Sequence, residues 1–228
     1  MNPYFTRQGI KFILSRIPTI PFRVRRRWYL LYNRWLFWLN DVDYGARLNV
    51  CNRFYLKKAR GSHIIIGDDF TFSSGEAINP LSRNLRGCIF ADRGATIRIG
   101  HHTGISSACI WAKTGITIGN RVKIGGDCIL LDTDAHNLDY RIRASRERTP
   151  DGLPIDGATA ASRPIIIEDD VLIGTRCIIL KGVTIGARSI IGSGSVVTHS
   201  IPPDSIAAGN PCRVIKTINQ KTENEAPR

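Results

Sequence analysis

Residues 132–137, DTDAHN, place a histidine beside two carboxylates and form the strongest candidate for chemistry in the chain. Because the imidazole of histidine gains and loses a proton near neutral pH, His136 is a candidate general base. A neighbouring carboxylate would fix the tautomer of the ring or stabilise its protonated form, and Asp134 and Asp132 are the two choices. Aspartate in a turn more often bonds its own backbone, so a structural role competes with this one. We predict His136 as the base and take Asp134 as its partner.

His136 stands at the opening of the longest segment without periodicity, residues 132–164. A polar, turn-rich segment of this length inside a periodic chain is usually functional. It carries charges of both signs: Arg141, Arg143, Arg146 and Arg148, with Asp139, Glu147, Asp151 and Asp156. Three interpretations stay open: one wall of a substrate site, an arm that reaches a neighbouring subunit, or a solvated loop.

On both sides of this segment an aliphatic residue recurs at every sixth position. The clearest series is Ile167, Ile173, Ile179, Ile185, Ile191 and Val197. A period of six fits neither a helix nor a flat strand, and it is typical of a parallel β-helix built from hexapeptide rungs. Four residues after each aliphatic position lies a small or β-branched residue that suits the inside of a narrow triangular prism: Val122, Cys128, Val171, Cys177, Val183, Ser189 and Ser195.

The predicted fold class is therefore all-β, a parallel β-helix in which about eighteen residues complete one turn. Single rungs cannot bury their own apolar side, so they must stack into one continuous core. Residues 44–216 are assigned to this domain, with 132–164 inserted between two rungs and 217–228 as a disordered polar tail. Because the coil resumes in register, the insertion must project from one edge of the prism.

The net charge of +13 resides almost entirely at the start of the chain. Residues 1–60 hold 13 Lys and Arg against two acids, whereas the repeats are nearly balanced, which argues against a nucleic-acid partner. Within the segment 1–43, aromatic residues concentrate at 28–39 beside several arginines. We consider a helical cap on the open end of the prism and an interfacial helix on an anionic membrane surface, and the two can coexist.

The six cysteines, at positions 51, 88, 109, 128, 177 and 212, form no CxxC pair. Cys109, Cys128 and Cys177 fall at small inward rung positions, where free cysteine behaves as a small hydrophobe. We interpret all six as reduced thiols of a cytoplasmic protein. No run approaches the roughly 20 apolar residues of a membrane-spanning helix, and no cleavable signal peptide is apparent.

Three features together resemble the hexapeptide-repeat acyltransferases: the rungs, the run DTDAHNLD, and the closing run IGSGSVVTHSIPPDSIAAGNPCRVIK. The resemblance covers about residues 60–216 and is strongest for the maltose and galactoside branch and its relatives that O-acetylate surface polysaccharides. It implies a left-handed coil, against the usual right-handed preference of parallel crossovers. It also implies a homotrimer with active sites between adjacent prisms.

The resemblance implies that His136 takes a proton from an acceptor hydroxyl, which attacks the thioester carbonyl of acetyl-CoA without a covalent enzyme intermediate. The positions that match the coenzyme groove of the family are Gly125, Gly126, Thr175, Ser193, Thr198, Arg213 and Lys216. The family often has lysine after the threonine of its VVTK run, whereas this chain has His199. That departure weakens one expected phosphate contact.

The favoured acceptor is a sugar hydroxyl or a surface-polysaccharide precursor, in a cytoplasmic enzyme that works without a metal. The alternatives are an N-acyltransferase acting on an amino sugar and a non-catalytic prism that serves as a scaffold. γ-Type carbonic anhydrases share the prism but need three converging zinc ligands. His101, His102 and His136 are too widely spaced for that role.

Overall fold

The computed structural model describes residues 20–75, 79, 81 and 85–218, together with Lys11. Most of the first nineteen residues of the predicted 1–43 segment, and positions 219–228 of the predicted tail, lie outside the described residues. Thr217, which we assigned to the tail, is the last residue of a strand.

The chain coils into a prism with three sheets, each made of strands that recur once per coil. Sheet 1 contains β1 (Asp43–Tyr44), β4 (His63–Ile66), β7 (Thr96–Ile99), β10 (Gly115–Ile118), β13 (Ile165–Ile167) and β16 (Thr184–Ile185). Sheet 2 contains β2 (Asn49–Cys51), β5 (Thr71–Ser73), β8 (Gly104–Ser106), β11 (Lys123–Ile124), β14 (Leu172–Ile173), β17 (Ile190–Ile191), β19 (Ser205–Ala208) and β20 (Arg213–Thr217). Sheet 3 contains β3 (Tyr55–Lys58), β6 (Cys88–Ala91), β9 (Cys109–Ala112), β12 (Ile129–Leu131), β15 (Ile178–Leu180) and β18 (Val196–Val197).

All strand pairs are parallel except β19 with β20, which closes the last coil as an antiparallel pair. We name the corners by the sheets that they join: the 1–2 corner, the 2–3 corner and the 3–1 corner. The insertion leaves the prism at the 3–1 corner, between β12 and β13, and contains two short helices. These are α2 (Tyr140–Ala144) and α3 (Ile155–Ala158), while α1 (Ile20–Leu39) precedes the first coil.

The inside of the prism confirms the six-residue pattern. None of the six aliphatic residues from Ile167 to Val197 is more than 1% exposed, and the same holds for the seven small or β-branched residues predicted to lie inside the prism. Burial of one such aliphatic side chain contributes about 1.5–3 kcal/mol to the stability of the fold. The stacked rungs therefore stabilise the prism through one continuous core. The predicted all-β hexapeptide prism is therefore confirmed.

Cys109 is the exception among the inward positions. It lies half-buried on the outer face of β9, and Ala108 and Ile110 point inward on either side of it. The rung from Ile105 to Ile110 is one residue short, and a shift of one residue turns a strand side chain to the opposite face. All six cysteines are free thiols.

Glycine after each aliphatic residue has a steric cause at the corners. A Cβ at Gly100 would lie 2.6 Å from the carbonyl carbon of Gly119, and one at Gly119 would lie 2.8 Å from that of Glu168. At the 2–3 corner, a Cβ at Gly125 would lie 2.7 Å from the backbone nitrogen of Thr175. Successive coils therefore stack backbone on backbone, with no room for a side chain between them.

The second half of α1 covers the open end of the prism. Asn33 is fully buried, and its amide nitrogen donates to the carbonyl oxygens of Val50 at 2.8 Å and Asn52 at 2.9 Å. The ring of Phe37, also fully buried, stacks on Phe54 with 5.5 Å between centroids. The helix thus satisfies backbone acceptors that the first coil would otherwise leave unpaired. Among the described residues, no helix is both long and apolar enough to cross a membrane.

We expect Asn33→Ala to destabilise the protein by about 1–3 kcal/mol, because two carbonyl groups would lose their donor in a buried site. Thermal unfolding followed by circular dichroism measures the change. Asn40→Ala is the matched control, since the side-chain amide of Asn40, the residue after α1, donates to the carbonyl of Leu36 in the helix. Equal melting temperatures for the two variants would contradict the capping role.

Candidate active site at the 3–1 corner

The insertion begins and ends side by side at the 3–1 corner. Thr133 and Ser162 form an antiparallel bridge, the N–H of Asp134 donates to Ala161 at 2.9 Å, and the N–H of Arg163 donates to Asp132 at 2.9 Å. Residues shortly after the start of the insertion therefore lie opposite residues shortly before its end.

Asp132 holds the corner of the preceding coil. It is fully buried, and its carboxylate accepts from the backbone N–H groups of Lys113 at 2.6 Å, Thr114 at 2.8 Å and Gly115 at 2.7 Å. The hydroxyl of Thr114 adds a fourth bond at 2.7 Å. Both carboxylate oxygens are thus occupied by the coil, so Asp132 has a structural role and is not the partner of His136.

His136 is paired with Asp156 on α3. The ring Nδ1 lies 2.5 Å from the Asp156 carboxylate, whose other oxygen accepts the N–H of Asn137 at 2.8 Å. The bond to His136, followed by the bond to Asn137, lowers the pKa of Asp156 below its usual value. An ionised carboxylate only accepts, so this pairing favours the tautomer of the neutral ring with its proton on Nδ1 and its free lone pair on Nε2. His136 is 70% exposed and Asp156 only 17%, which presents the ring to solvent on a fixed support.

Asp134 does not take the role that we assigned to it. Its carboxylate pairs with the ammonium group of Lys181, and its backbone carbonyl accepts the N–H of His136 at 2.7 Å. Ala135, between the two, has a positive φ of 60°, so the chain turns sharply there. Asp134 anchors this turn to the next coil, and the carboxylate beside the ring comes from 20 residues downstream.

No local sequence signal marks Asp156 as this partner, because it is one of several acids in the insertion. The path of the insertion offered a signal for this pairing instead. A segment that leaves and rejoins the prism at one corner must bring its two ends together, which favours acids near the end of the insertion over those in its middle.

A long groove of 390 Å³ follows the outer face of sheet 2. It crosses five coils, and three of the predicted coenzyme positions, Gly125, Thr175 and Ser193, line it beside Lys123 and Leu172. The hydroxyl of Ser193 accepts the backbone N–H of Thr175 at 3.1 Å, so it also stabilises the 2–3 corner. An extended, narrow ligand fits a groove of this shape better than a compact one.

The remaining predicted coenzyme positions do not line the groove. Gly126 is buried at the 2–3 corner, and Thr198 lies beyond β18 with its hydroxyl 2.8 Å from the Nδ1 of His199. Arg213 and Lys216 are exposed on β20, the outermost strand of sheet 2. They thus place positive charge on the same sheet as the groove.

The groove and His136 lie on different sides of a single chain. The groove is on sheet 2, whereas His136 projects from the 3–1 corner, which is opposite that sheet in a triangular prism. A rigid prism cannot fold one side onto the other. Within one chain, the groove and His136 therefore stay apart.

A smaller cleft of 210 Å³ lies between sheet 3 and the insertion. Its lining includes Trp111, Asp92 and Leu153, together with Ala135 and Gly157, the sequence neighbours of His136 and Asp156. The indole Nε1 of Trp111 is buried without a hydrogen-bond partner. Across the described part of the chain, no group of three or more His, Cys, Asp or Glu side chains is arranged to hold a metal ion.

Comparison with known proteins places this architecture. The family model "Hexapeptide repeat of succinyl-transferase" matches residues 164–199. Galactoside O-acetyltransferase of Escherichia coli (strain K12) is 38% identical over 137 residues, which cover 60% of this chain and 61% of that protein. The chain belongs to the hexapeptide-repeat acetyltransferase family. The predicted left-handed coil is confirmed with it.

Two solved structures extend the comparison. The polysialic-acid-specific acetyltransferase NeuO is 27% identical, with 80% of each chain covered and a TM-score of 0.50. A variant of the N-acyltransferase AntD from Bacillus cereus, in complex with dTDP-4-amino-4,6-dideoxyglucose and coenzyme A, is 18% identical, covers 78% of this chain and 85% of its own, and has a TM-score of 0.57. At that identity the second shares only the fold. The chain spans 57–61% of the length of the curated relatives that it matches first.

We expect neutral His136 to carry its proton on Nδ1, because the ionised Asp156 accepts there. Long-range ¹H–¹⁵N correlation spectra of the imidazole measure the tautomer directly. Asp156→Asn should abolish the preference for Nδ1–H, whereas Asp134→Asn should leave it unchanged. A tautomer that responds to Asp134 and not to Asp156 would contradict the pairing.

Proposed function

We propose that this protein is an acetyl-CoA-dependent O-acetyltransferase that acts on a hydroxyl of a sugar or of a surface-polysaccharide precursor. The observation that carries the proposal is the His136–Asp156 pair, a solvent-facing imidazole whose Nδ1 is bound to an ionised carboxylate. Such an arrangement suits general-base catalysis, since the carboxylate orients the ring and stabilises its protonated form.

In the proposed reaction, Nε2 of His136 takes the proton of the acceptor hydroxyl while its oxygen attacks the thioester carbonyl carbon. The tetrahedral intermediate collapses with cleavage of the carbon–sulfur bond, and the imidazolium returns the proton to the departing coenzyme sulfur. The products are an acetyl ester and free coenzyme A, with no covalent enzyme intermediate. A backbone N–H beside the thioester would stabilise the developing oxyanion.

Support for a hydroxyl acceptor comes from the relatives, which include a galactoside O-acetyltransferase and a polysialic-acid-specific acetyltransferase. We place the acceptor beside the His136–Asp156 pair, where the cleft at Trp111 offers an aromatic ring and the carboxylate of Asp92. N-acylation of an amino sugar is the alternative, because AntD has the same fold. A panel of hydroxyl and amino sugars distinguishes the two.

The proposal includes a homotrimer. One chain keeps His136 and the sheet 2 groove on different sides, so a neighbouring copy must complete each site. Acetyl-CoA would lie lengthwise in the groove past Gly125, Thr175 and Ser193, with its phosphates toward the basic strand β20. Gly126 and Thr198 remain assigned to the coenzyme only by the family resemblance.

We also place the enzyme in the cytoplasm, the compartment in which acetyl-CoA is available. Within the cytoplasm, we place it peripherally on the inner face of the membrane, because residues 1–43 are basic and aromatic. A lipid-linked glycan would be the acceptor there.

His136→Ala should lower kcat/KM for the acceptor by about 10²–10⁴-fold, the usual contribution of a general base. Thiol release from acetyl-CoA with the sugar panel measures the rate. The matched control is His102→Ala, because His102 is also exposed and paired with a carboxylate, Asp69, but lies at the 1–2 corner. If the two variants turn over equally, the proposed base is wrong. If neither they nor the wild type release thiol with any sugar, the scaffold alternative gains support.

Arg213→Gln and Lys216→Gln should raise KM for acetyl-CoA and leave kcat nearly unchanged, since they remove charge from the phosphate end of the groove. The effect should shrink with 3′-dephospho-acetyl-CoA if either side chain binds the 3′-phosphate. Arg60→Gln, at an exposed position in the first coil, is the control. Parallel increases for all three variants would point to a loss of overall charge and not to a specific contact.

A further inference from the structure

Helix α1 presents a continuous apolar stripe to solvent. Five residues spaced alternately by four and three positions are 52–69% exposed: Val24, Trp28, Leu31, Trp35 and Trp38. This spacing places all five on one face of a helix. We call them the exposed stripe. Three of the four tryptophans of the chain belong to it.

The exposed stripe is not the face of α1 that packs against the prism. Asn33 and Phe37 lie on the face of α1 that packs against the first coil, and both are fully buried there. The helix is therefore held by one side while the opposite side points away from the prism. An exposed apolar patch on a pinned helix marks an interaction surface.

The charges beside the stripe indicate its partner. Helix α1 contains five arginines and no acidic residue: Arg23, Arg25, Arg26, Arg27 and Arg34. Arg23, Arg26 and Arg27 line a concavity of 580 Å³ with Val24 and Leu30, so positive charge directly adjoins the apolar row. Tryptophan and leucine on one face with arginine around them is the pattern of helices that lie in the headgroup region of an anionic bilayer.

We propose that the exposed stripe of α1 docks the enzyme onto an anionic lipid surface, with the tryptophans at headgroup depth and the arginines against lipid phosphates. The two roles considered for this segment then belong to opposite faces of one helix, one that caps the prism and one that contacts lipid. The proposal specifies the surface behind the proposed membrane location, and it does not depend on the transfer reaction.

Vesicle flotation with the full chain tests the proposal. We expect the protein to float with vesicles of equal phosphatidylcholine and phosphatidylglycerol, and to stay at the bottom with phosphatidylcholine alone. Replacing Trp28, Trp35 and Trp38 together by serine should lower the partition coefficient at least about tenfold. Tyr55→Ser, which removes an aromatic residue that is 53% exposed on sheet 3, should leave it unchanged. Equal flotation of the two variants overturns the proposal.

A separate variant tests the contribution of the arginines to lipid binding. Arg26→Gln with Arg27→Gln should weaken binding to the phosphatidylglycerol vesicles, and added salt should weaken wild-type binding in the same way. Binding that is insensitive to both changes would contradict an electrostatic attraction to lipid.

Brominated phosphatidylcholine in the anionic vesicles locates the contact. It should quench a variant that retains only Trp38 and spare one that retains only Trp111, which lies half-buried on sheet 3. Quenching of both tryptophans to the same degree would mean non-specific adsorption and would overturn the proposal.

Light scattering tests whether a second copy of the chain, instead of lipid, covers the exposed stripe. The triple-serine variant should keep the wild-type mass in solution, whereas a loss of mass would show that another subunit covers the stripe. The same variant should keep the wild-type rate of thiol release with a soluble acceptor, because none of its changes lies near His136 or the groove. Loss of flotation with retained turnover separates a failure of docking from a failure of the proposed chemistry.

Discussion

The stacking of one coil's backbone directly on the next is the constraint on which the rest of this molecule depends. It requires glycine at corner positions such as Gly100 and Gly119, where a Cβ would meet the carbonyl carbon of the following coil. Close stacking keeps the strands of each sheet in register and sends their alternate side chains inward as one core. The same regularity makes the outer faces long and straight, which gives sheet 2 a groove across five coils. The long insertion with the candidate site leaves the prism at a corner, between β12 and β13.

A rigid prism also explains why the candidate site is divided. The candidate base His136 and its carboxylate partner Asp156 belong to one insertion, whose two ends are joined by backbone hydrogen bonds. The groove lies on a different side and cannot move toward them. Association of identical subunits would bring the two halves together without any change in the fold of each.

The sequence was informative where contacts repeat and less so where they do not. The six-residue period predicted the prism and nearly all of its inward residues, because each rung repeats the same local packing problem. It failed at Cys109, where one rung is a residue short and the side chain turns outward. Local spacing favoured Asp134 as the partner of His136, whereas the structure pairs the ring with Asp156, which is near in space and 20 residues distant in the chain. Contacts of that kind follow from the path of the insertion and not from its composition.

Asp132 gives the insertion a property that its position outside the prism would not suggest. Its carboxylate completes the corner at Lys113, Thr114 and Gly115, so the first residue of the insertion is also a structural part of the coil before it. The segment is therefore not an exchangeable cassette. A shorter or foreign loop grafted at Leu131 would leave three backbone donors without an acceptor in the body of the solenoid. If the insertion binds the acceptor as proposed, its specificity would diverge by substitution within the loop, with Asp132 retained.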